Sequence, residues 1–223
     1  MIITIDGPAA AGKGTLASTL SEKYRLAYFD TGMIYRAVGL ALRLSNADVH
    51  NEEQALKEAQ NMTFPKMMEL AKDARLRDSI GGEHASIVAA MPSVRLALLR
   101  MQQDFSNSPV YADGTPAQGV VYDGRDTGTV VCPNADIKFF VTASPEVRAE
   151  RRYKEFLSKG QQVDYAQVLE DVKKRDERDS NRSSAPLKPA SDAIILDTSD
   201  LSIAEVLQKA QEIIDSHKKT LEK

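Results

Sequence analysis

The chain has 223 residues, of which 42% are hydrophobic and 27% charged, as expected for one soluble α/β domain that can bury a core. Its formal net charge of −3 gives no reason to expect nucleic-acid or membrane binding. The single cysteine, Cys132, excludes an intramolecular disulfide framework and fits a reducing compartment, and the three histidines lack metal-ligand spacing. No run approaches the roughly 18 apolar residues of a membrane span, and the first residues look like a strand rather than a signal peptide. We therefore expect a cytoplasmic protein.

The most informative motif is Gly7-Pro8-Ala9-Ala10-Ala11-Gly12-Lys13-Gly14-Thr15, which lies between the apolar run Met1–Asp6 and a helical pattern. It matches a P-loop, in which the glycines let backbone N–H groups face phosphate oxygens. Lys13 can then reach the β and γ phosphates, and the Thr15 hydroxyl can bind Mg²⁺. The alternative is a Gly/Ala-rich turn between a strand and a helix. The strand before and the helix after favour the P-loop, and with it a user of nucleoside triphosphates.

The first half of the chain is predicted to be mostly helical around two short strands. A turn at Asp30-Thr31-Gly32 follows the second strand, 26–30, and Thr31 is predicted to be the N-cap of the next helix, which carries Arg36. Gly81-Gly82 is predicted to interrupt the helical structure. The other predicted helices of this half are 13–24, 52–60, 66–77, 85–90 and one that begins at Pro92.

The second half alternates strands and helices. Predicted strands cover 119–122, 136–141 and 193–196, and predicted helices cover 145–157, 164–181 and 202–216, with residues 216–223 expected to fray. Asp123-Gly124-Arg125-Asp126 follows the strand 119–122. Ligands bind at the carboxyl ends of strands in open α/β sheets, so this segment is a candidate site. Ser144 is predicted to cap the helix that Pro145 begins.

These elements predict a P-loop-type α/β fold with a five-stranded parallel sheet flanked by helices. Its arginines form two groups. The first could surround an acceptor phosphate and comprises Arg36, Arg95 and Arg125. The second flanks a segment expected to be mobile and comprises Arg151, Arg152, Arg175, Arg178 and Arg182. Guanidinium groups bind phosphate bidentately, and phosphoryl transfer needs placed cations and exclusion of water. For 175–182 the alternative is a solvated helix face laced with salt bridges.

Taken together, the motifs resemble those of bacterial cytidylate kinases, which are nucleoside monophosphate kinases. The segments that carry the resemblance are 7–15, Asp30-Thr31-Gly32-Met33-Ile34-Tyr35-Arg36, Val94-Arg95, Asp123 to Val131, Arg175 to Arg182, and Ala185-Pro186-Leu187. They cover the chain from end to end in the family's order. The resemblance implies transfer of the γ-phosphoryl group of ATP to CMP or dCMP, with Mg²⁺ bound alongside ATP.

The same resemblance implies roles for individual residues. ATP would bind to Gly7, Pro8, Ala9, Ala10, Ala11, Gly12, Lys13, Gly14 and Thr15. CMP would bind through its phosphate to Thr31, Arg36 and Arg125, through cytosine to Ser86, Arg95, Asp126 and Arg182, and through ribose to Arg175 and Asp179. Thr31 stands where the family often has serine. Cytosine presents an N4 donor where uracil presents an acceptor, so a carboxylate at Asp126 favours cytosine.

The resemblance also implies a lid. Arg151, Arg152 and Arg178 would close over the triphosphate and, with Lys13, stabilise the transferred group. Asp123 would either orient water on Mg²⁺ or cap the following loop. The expected division is a core of about 1–30, 93–150 and 186–216, a monophosphate-binding insert of about 31–92 and a lid of about 151–185. The longer bacterial relatives have a β-rich insert, whereas 61–83 here is short and has a helical pattern.

Two other classes of protein remain as alternatives. A uridylate or adenylate kinase would not be expected to pair 123–126 with the 175–182 cluster. A GTP-dependent switch or nucleotide-binding module would not need a second group of arginines, and the chain has no Asn-Lys-x-Asp guanine-binding segment. The expected partners are ATP and CMP or dCMP, without nucleic acid or membrane, and the expected state is a monomer.

Overall fold

The computed structural model describes residues 1–221, and within them five parallel strands form one sheet in the order β2-β3-β1-β4-β5. The sequence predicts these same five strands, with ends that differ by one or two residues. The strands are β1 (Ile2–Asp6), β2 (Ala27–Asp30), β3 (Val120–Gly124), β4 (Ile137–Thr142) and β5 (Ile194–Asp197). The predicted five-stranded parallel sheet is confirmed.

Helices connect the strands and cover the sheet. They are α1 (Lys13–Tyr24), α2 (Thr31–Leu44), α3 (Glu52–Gln60), α4 (Phe64–Leu70), α5 (Ser79–Val88), α6 (Pro92–Asn107), α7 (Pro145–Ser158), α8 (Tyr165–Asn181) and α9 (Ile203–Leu221). A 3₁₀ turn covers Ala74–Arg77, and a single π-helical turn covers Thr127–Val131. Within residues 1–221, none of these helices is long and apolar enough to cross a membrane.

Two hydrophobic clusters hold this arrangement, as expected for a parallel sheet that is buried on both faces. One joins β1 and β4 to α1 and α9 through side chains such as Ile5, Phe139 and Ile214. The other joins β2 and β3 to the helices between α2 and α6 through Phe29 and Tyr122. Helices α2 to α6 therefore share a core with β2 and β3.

The helical pair α7–α8 has its own small core. Ala149, Val168 and Val172 are buried there, with Tyr153 and Phe156 packed against them. This cluster is separate from the two that hold the sheet. The pair is joined to the rest of the chain largely through polar contacts, described below.

Two predicted features of the segment between β2 and α6 are wrong. Asp30, not Thr31, is the N-cap of α2, because Thr31 already lies in the helix and its hydroxyl donates to the Asp123 carbonyl at 2.9 Å. Gly81 and Gly82 lie inside α5 rather than interrupting it. A Cβ at Gly81 would lie 2.6 Å from the carbonyl oxygens of Arg75 and Leu76, so this glycine permits a close approach of backbones.

Three other helix bounds also differ. The predicted helix 66–77 is divided, since α4 ends at Leu70 and the Asp73 side chain accepts from the Arg75 N–H to begin the 3₁₀ turn. The predicted helix 85–90 is the second half of α5, which begins after the Asp78 cap. The closing helix α9 does not fray at 216 but continues to Leu221. The predicted fraying of 222 and 223 lies outside the described residues.

Candidate active site

A cavity of about 690 Å³ opens at the carboxyl ends of β1, β2 and β3, bounded by α5 on one side and by α7–α8 on the other. Most of the residues selected from the sequence line it. They are Ala9, Ala10, Gly12, Lys13, Gly14, Thr15, Thr31, Arg36, Ser86, Arg95, Asp123, Arg125, Asp126, Arg152, Arg175, Arg178, Asp179 and Arg182. Four others, Gly7, Pro8, Ala11 and Arg151, are not part of its lining.

The loop between β1 and α1 has the backbone of a phosphate-binding loop. Gly7 has φ 145°, and a Cβ there would lie 1.9 Å from the Val141 carbonyl oxygen, so only glycine fits. Gly12 has φ 94° and is the N-cap of α1. The N-terminus of α1 therefore faces the cavity with its free N–H groups, and the helix dipole favours an anion there.

Lys13 and Asp123 form the charged base of the cavity. The Lys13 Nζ donates to the Pro8 carbonyl at 2.8 Å and lies 3.9 Å from Asp123 Oδ1. Burial, with the charge of Arg125 added, lowers the pKa of Lys13 well below its usual value. Burial raises the pKa of Asp123, although the charge of Lys13 opposes this. A phosphate placed beside Lys13 would favour its charged form again.

A buried carboxylate lies at the opposite end of the cavity. Arg95 donates from Nη2 to Asp126 Oδ2 and from Nη1 to the Ala89 carbonyl, and its guanidinium lies 5.3 Å from the centre of the Tyr35 ring. Arg182 Nη2 lies 3.9 Å from the other oxygen of Asp126. Asp126 is only 4% exposed, so its carboxylate faces the cavity rather than bulk solvent. The two arginines compensate for the cost of burying its oxygens.

Cations from three parts of the chain line the middle of the cavity. Arg36 donates to the Leu76 carbonyl at 3.1 Å, and Arg125 donates from Nε to Asp179 Oδ2 at 3.0 Å. Burial, followed by the charge of Arg125, lowers the pKa of Arg175 to about 10. Within the described residues, Arg175 Nε and Arg182 Nη2 are buried donors without a hydrogen-bond partner. Such a set of incompletely neutralised guanidinium groups suits an anionic ligand.

The three arginines that the sequence assigns to the lid, on α7 and α8, lie in three different environments. Arg178 Nη1 donates to Ser86 Oγ at 3.0 Å and so joins α8 to α5. Arg152 pairs with Glu155 and lies 4.5 Å from the centre of the Phe156 ring at the cavity wall. Arg151 instead donates to the hydroxyl and the carbonyl of Thr198, at 3.0 and 2.7 Å, on the far side of the P-loop.

Two residues that support the site were not selected from the sequence. Arg148 donates to both oxygens of Asp176 and to the Ala9 carbonyl, at 3.4 Å, and so ties α7 to α8 and to the P-loop. Asp6 accepts from the backbone N–H groups of Thr127 and Gly128, at 2.8 and 2.7 Å. The rule that charged residues at the carboxyl end of a strand are candidates would have found Asp6. No pattern in the sequence pairs Arg148 with Asp176.

A parallel sheet with a phosphate-binding loop after β1, facing a second group of cations across one cavity, defines a P-loop kinase. The family model described as cytidylate kinase matches residues 3–216. The chain belongs to the cytidylate kinase family.

Relatives support this assignment over almost the whole chain. A cytidylate kinase of Rhodospirillum rubrum is 49% identical over 218 residues, covering 98% of this chain and 98% of the relative. One of Methylocella silvestris is 48% identical over 216 residues, covering 97% and 94%. Among solved structures, an uncharacterized protein from Eubacterium ventriosum has a TM-score of 0.52 at 16% identity, covering 97% of this chain and 98% of that one. That likeness supports the fold alone.

Proposed function

We propose that this protein transfers the γ-phosphoryl group of ATP to CMP or dCMP, giving ADP and CDP or dCDP. One observation carries the proposal: a single cavity connects Lys13 of the P-loop to the buried Asp126 carboxylate and the arginines around it. The first end suits a triphosphate, the other suits a base with an amino donor, and the cations between them suit the two phosphate groups. Membership of the cytidylate kinase family supports the same substrates.

ATP binds with its phosphates in the loop Gly7–Thr15. Ala9, Ala10, Gly12 and Gly14 line the cavity, while Gly7, Pro8 and Ala11 support the loop from behind. Lys13 leaves the Pro8 carbonyl to contact the β and γ phosphates, and the N–H groups at the start of α1 contact the β phosphate.

Magnesium fits the site as a metal that arrives with the nucleotide. Within residues 1–221, no cluster of three or more His, Cys, Asp or Glu could hold a metal by itself. The Thr15 hydroxyl lies at the cavity, and Asp123 Oδ2 would lie 3.4 Å from a Cβ at Gly14, so the carboxylate faces the start of α1. Thr15 would hold the ion and Asp123 its water ligands; when bound, Mg²⁺ neutralises negative charge that develops on the phosphates.

CMP occupies the other half of the cavity. Arg36 and Arg125 contact its phosphate beside Thr31, Arg175 and Asp179 contact its ribose, and Ser86, Arg95, Asp126 and Arg182 contact cytosine. Arg95 contacts one oxygen of Asp126 and Arg182 lies near the other, and the carboxylate accepts from the N4 amino group. The O4 acceptor of uracil would face this carboxylate with no donor between the two groups, at a cost on the order of 1 to 3 kcal/mol, roughly five- to 150-fold in discrimination.

Transfer requires the helices on both sides of the cavity. The insert of about 31–92 carries the acceptor, and the lid of about 151–185 closes over ATP and excludes water as an alternative acceptor. Arg152 and Arg178 already line the cavity and, with Lys13, stabilise the negative charge of the transferred group. Arg151 can join them only after it leaves Thr198.

The proposal is tested by ADP release from Mg-ATP, with CMP, dCMP, UMP, AMP and GMP offered in parallel at equal concentration. We expect fast release with CMP and dCMP and weak release with UMP. Preference for another monophosphate would refute the assigned base pocket. Lack of release with every acceptor would refute the kinase activity itself.

A further inference from the structure

Asp6 connects the two halves of the active site. It is the last residue of β1, directly before Gly7, and its side chain points across to the turn that follows β3. Its Oδ1 accepts from the Thr127 N–H and from the Thr127 hydroxyl, both at 2.8 Å, and its Oδ2 accepts from the Gly128 N–H at 2.7 Å. The residue is 4% exposed. A buried carboxylate with three short, well-placed donors is a strong constraint on the segment that donates them.

The constrained segment is the π-helical turn that Asp126 begins. The Asp126 carbonyl accepts from the N–H groups of Val130 and Val131, at 2.8 and 3.2 Å, and the Thr127 carbonyl accepts from the Cys132 N–H at 2.7 Å. The N–H groups of Thr127 and Gly128 have no such partner inside the turn, as at any helix N-terminus. Asp6 supplies that partner, so its carboxylate fixes the start of the turn.

Packing around the turn leaves little room for another arrangement. A Cβ at Gly124 would lie 2.5 Å from Thr127 Cγ2, and a Cβ at Gly128 would lie 2.8 Å from Thr4 Oγ1. Thr127 itself is completely buried and does not line the cavity. Its hydroxyl therefore acts on the site only through Asp6 and the backbone of the turn.

We propose that Asp6, through its hydrogen bonds to Thr127 and Gly128, is a positioning residue that aims the Asp126 carboxylate at the acceptor base and so contributes to base specificity. The inference rests on the proposed function, because it requires that Asp126 contacts cytosine. Arg95 and Arg182 neutralise Asp126 from the cavity side, and Asp6 holds its backbone from the β1 side. Without the second constraint, Asp126 could follow Arg95 away from the base.

Thr127→Val tests this role because valine keeps the size and the buried N–H but lacks the hydroxyl that Asp6 accepts. We expect the Kd for CMP and the KM for CMP to rise about fivefold to tenfold, as for the loss of one hydrogen bond to a buried carboxylate. The preference for CMP over UMP should fall by a similar factor. The KM for ATP and the kcat at saturating CMP should stay close to those of the unmodified protein, since the P-loop is untouched.

Two further variants separate positioning from a general loss of packing. Thr127→Ser restores the hydroxyl and should recover the affinity for CMP. Thr4→Val removes a completely buried hydroxyl from the same strand as Asp6; within the described residues that hydroxyl has no hydrogen-bond partner, so both CMP affinity and base preference should be unchanged. The measurements are calorimetric titration with CMP alone, initial rates with CMP and UMP, and thermal unfolding of each variant.

The outcomes distinguish this inference from the proposed function. If the unmodified protein binds and phosphorylates CMP but Thr127→Val behaves like Thr4→Val, the positioning role of Asp6 is wrong. It is also wrong if Thr127→Val raises the KM values for ATP and CMP equally, or if serine gives no recovery. If the unmodified protein does not bind CMP, the proposed function fails first, and the positioning role fails with it.

Discussion

At the scale of single residues, the feature that separates this site from a general phosphate-binding pocket is the carboxylate of Asp126. Lys13 and the arginines assigned to phosphate, Arg36 and Arg125, would bind any nucleotide, because phosphate groups are common to all of them. Asp126 is different because its carboxylate is buried, is paired with Arg95 and, in the proposed complex, faces the base edge where cytosine and uracil differ in donors and acceptors. In the proposed function, discrimination between cytosine and uracil therefore depends chiefly on Asp126 and on the contacts that fix its position.

Asp126→Asn is expected to reduce discrimination between CMP and UMP more than it reduces turnover of CMP. An amide of the same size can present either its oxygen to cytosine N4 or its N–H group to uracil O4, so the variant should accept both bases. We expect the ratio of kcat/KM for CMP to that for UMP to fall by about tenfold, from the loss of roughly 1.4 kcal/mol of discrimination. The check is steady-state kinetics with each acceptor at saturating Mg-ATP. Equal losses on CMP and UMP would contradict the role of Asp126 in base recognition.

At the scale of secondary-structure elements, the pair α7–α8 is held to the core by a small number of polar contacts. Its own hydrophobic cluster contains three buried residues, Ala149, Val168 and Val172. Arg178 donates to Ser86 at 3.0 Å, and Arg151 donates to the Thr198 carbonyl at 2.7 Å. Arg148, which is 3% exposed, joins α7 to α8 through Asp176 and reaches the P-loop at the Ala9 carbonyl, at 3.4 Å. An element attached in this way can move as a unit if a few hydrogen bonds exchange partners.

Asp176→Asn is expected to destabilise the fold. The variant leaves the buried guanidinium of Arg148 without its counter-ion, at a cost on the order of 2 kcal/mol, toward the low end for buried pairs because Asp176 reaches solvent. Chemical denaturation followed by circular dichroism measures the change. The matched control is Asp104→Asn, which breaks a pair with Arg100 whose side chains are 89% and 62% exposed and should cost less than about 0.5 kcal/mol. Equal effects of the two variants would contradict a special role for the Arg148 contact.

Arg178→Ala is expected to lower kcat strongly with little change in the Kd of either nucleotide. Its guanidinium lines the cavity, where we propose that it stabilises charge on the transferred group, and losing one such contact costs on the order of 100-fold in rate. Ser86→Ala is the control, because it removes the hydrogen bond that Arg178 makes to α5 but keeps the cation. Single-turnover rates and equilibrium titrations separate the two effects. If Arg178→Ala weakens affinity alone, or if Ser86→Ala lowers kcat as much, Arg178 acts by joining α8 to α5.

The elements themselves were predictable wherever a local pattern determines them. The P-loop motif predicted α1, the alternation of apolar runs predicted β3 and β4, and Ser144-Pro145 predicted the start of α7. The pattern misled where a tertiary contact decides the structure. Gly81 was interpreted as a helix break, because its contact with the backbone of the 3₁₀ turn cannot be seen in the sequence. Thr31 was interpreted as a cap, because the sequence does not show that its hydroxyl donates to the carbonyl of Asp123, 92 positions away at the end of β3.

At the scale of the whole molecule, the active site is assembled from segments far apart in the chain. Arg178 and Ser86 are separated by 92 positions, Asp6 and Thr127 by 121. Most of the candidate residues could be selected from the sequence, but the sequence does not show which of them are in contact. It also could not show that Arg151 lies with Thr198 rather than at the cavity. The order of strands in the sheet determines which distant segments come into contact, and no local pattern encodes that order.

The same assembly places like charges from α2, from the turn after β3 and from α7 and α8 around one cavity. Burial, together with the charges of Arg152, Arg77 and Arg125, lowers the pKa of Arg36. Arg175 shows the same effect from burial and from Arg125, Arg36 and Arg152. Arg36 and Arg77 lie beside α5 on one side of the cavity, and Arg152 and Arg175 lie on α7 and α8 on the other. Their mutual repulsion opposes close approach of the two sides until phosphate groups neutralise it. Closure should therefore depend on the charge of the ligands and not only on their bases.

Hydrogen exchange is expected to slow in α5 and α8 when CMP and a non-hydrolysable ATP analogue bind together. The phosphates of the two ligands neutralise the cations on both sides of the cavity, so the two helices can pack more closely and open less often. Cytidine in place of CMP presents the same base without the phosphate and should give much less slowing. Helix α9, which packs on the sheet outside the cavity, should exchange at the same rate with and without ligands. Equal slowing with cytidine and with CMP would show that base contacts rather than charge neutralisation drive closure, and slowing in α9 as large as in α8 would show general stabilisation instead of closure.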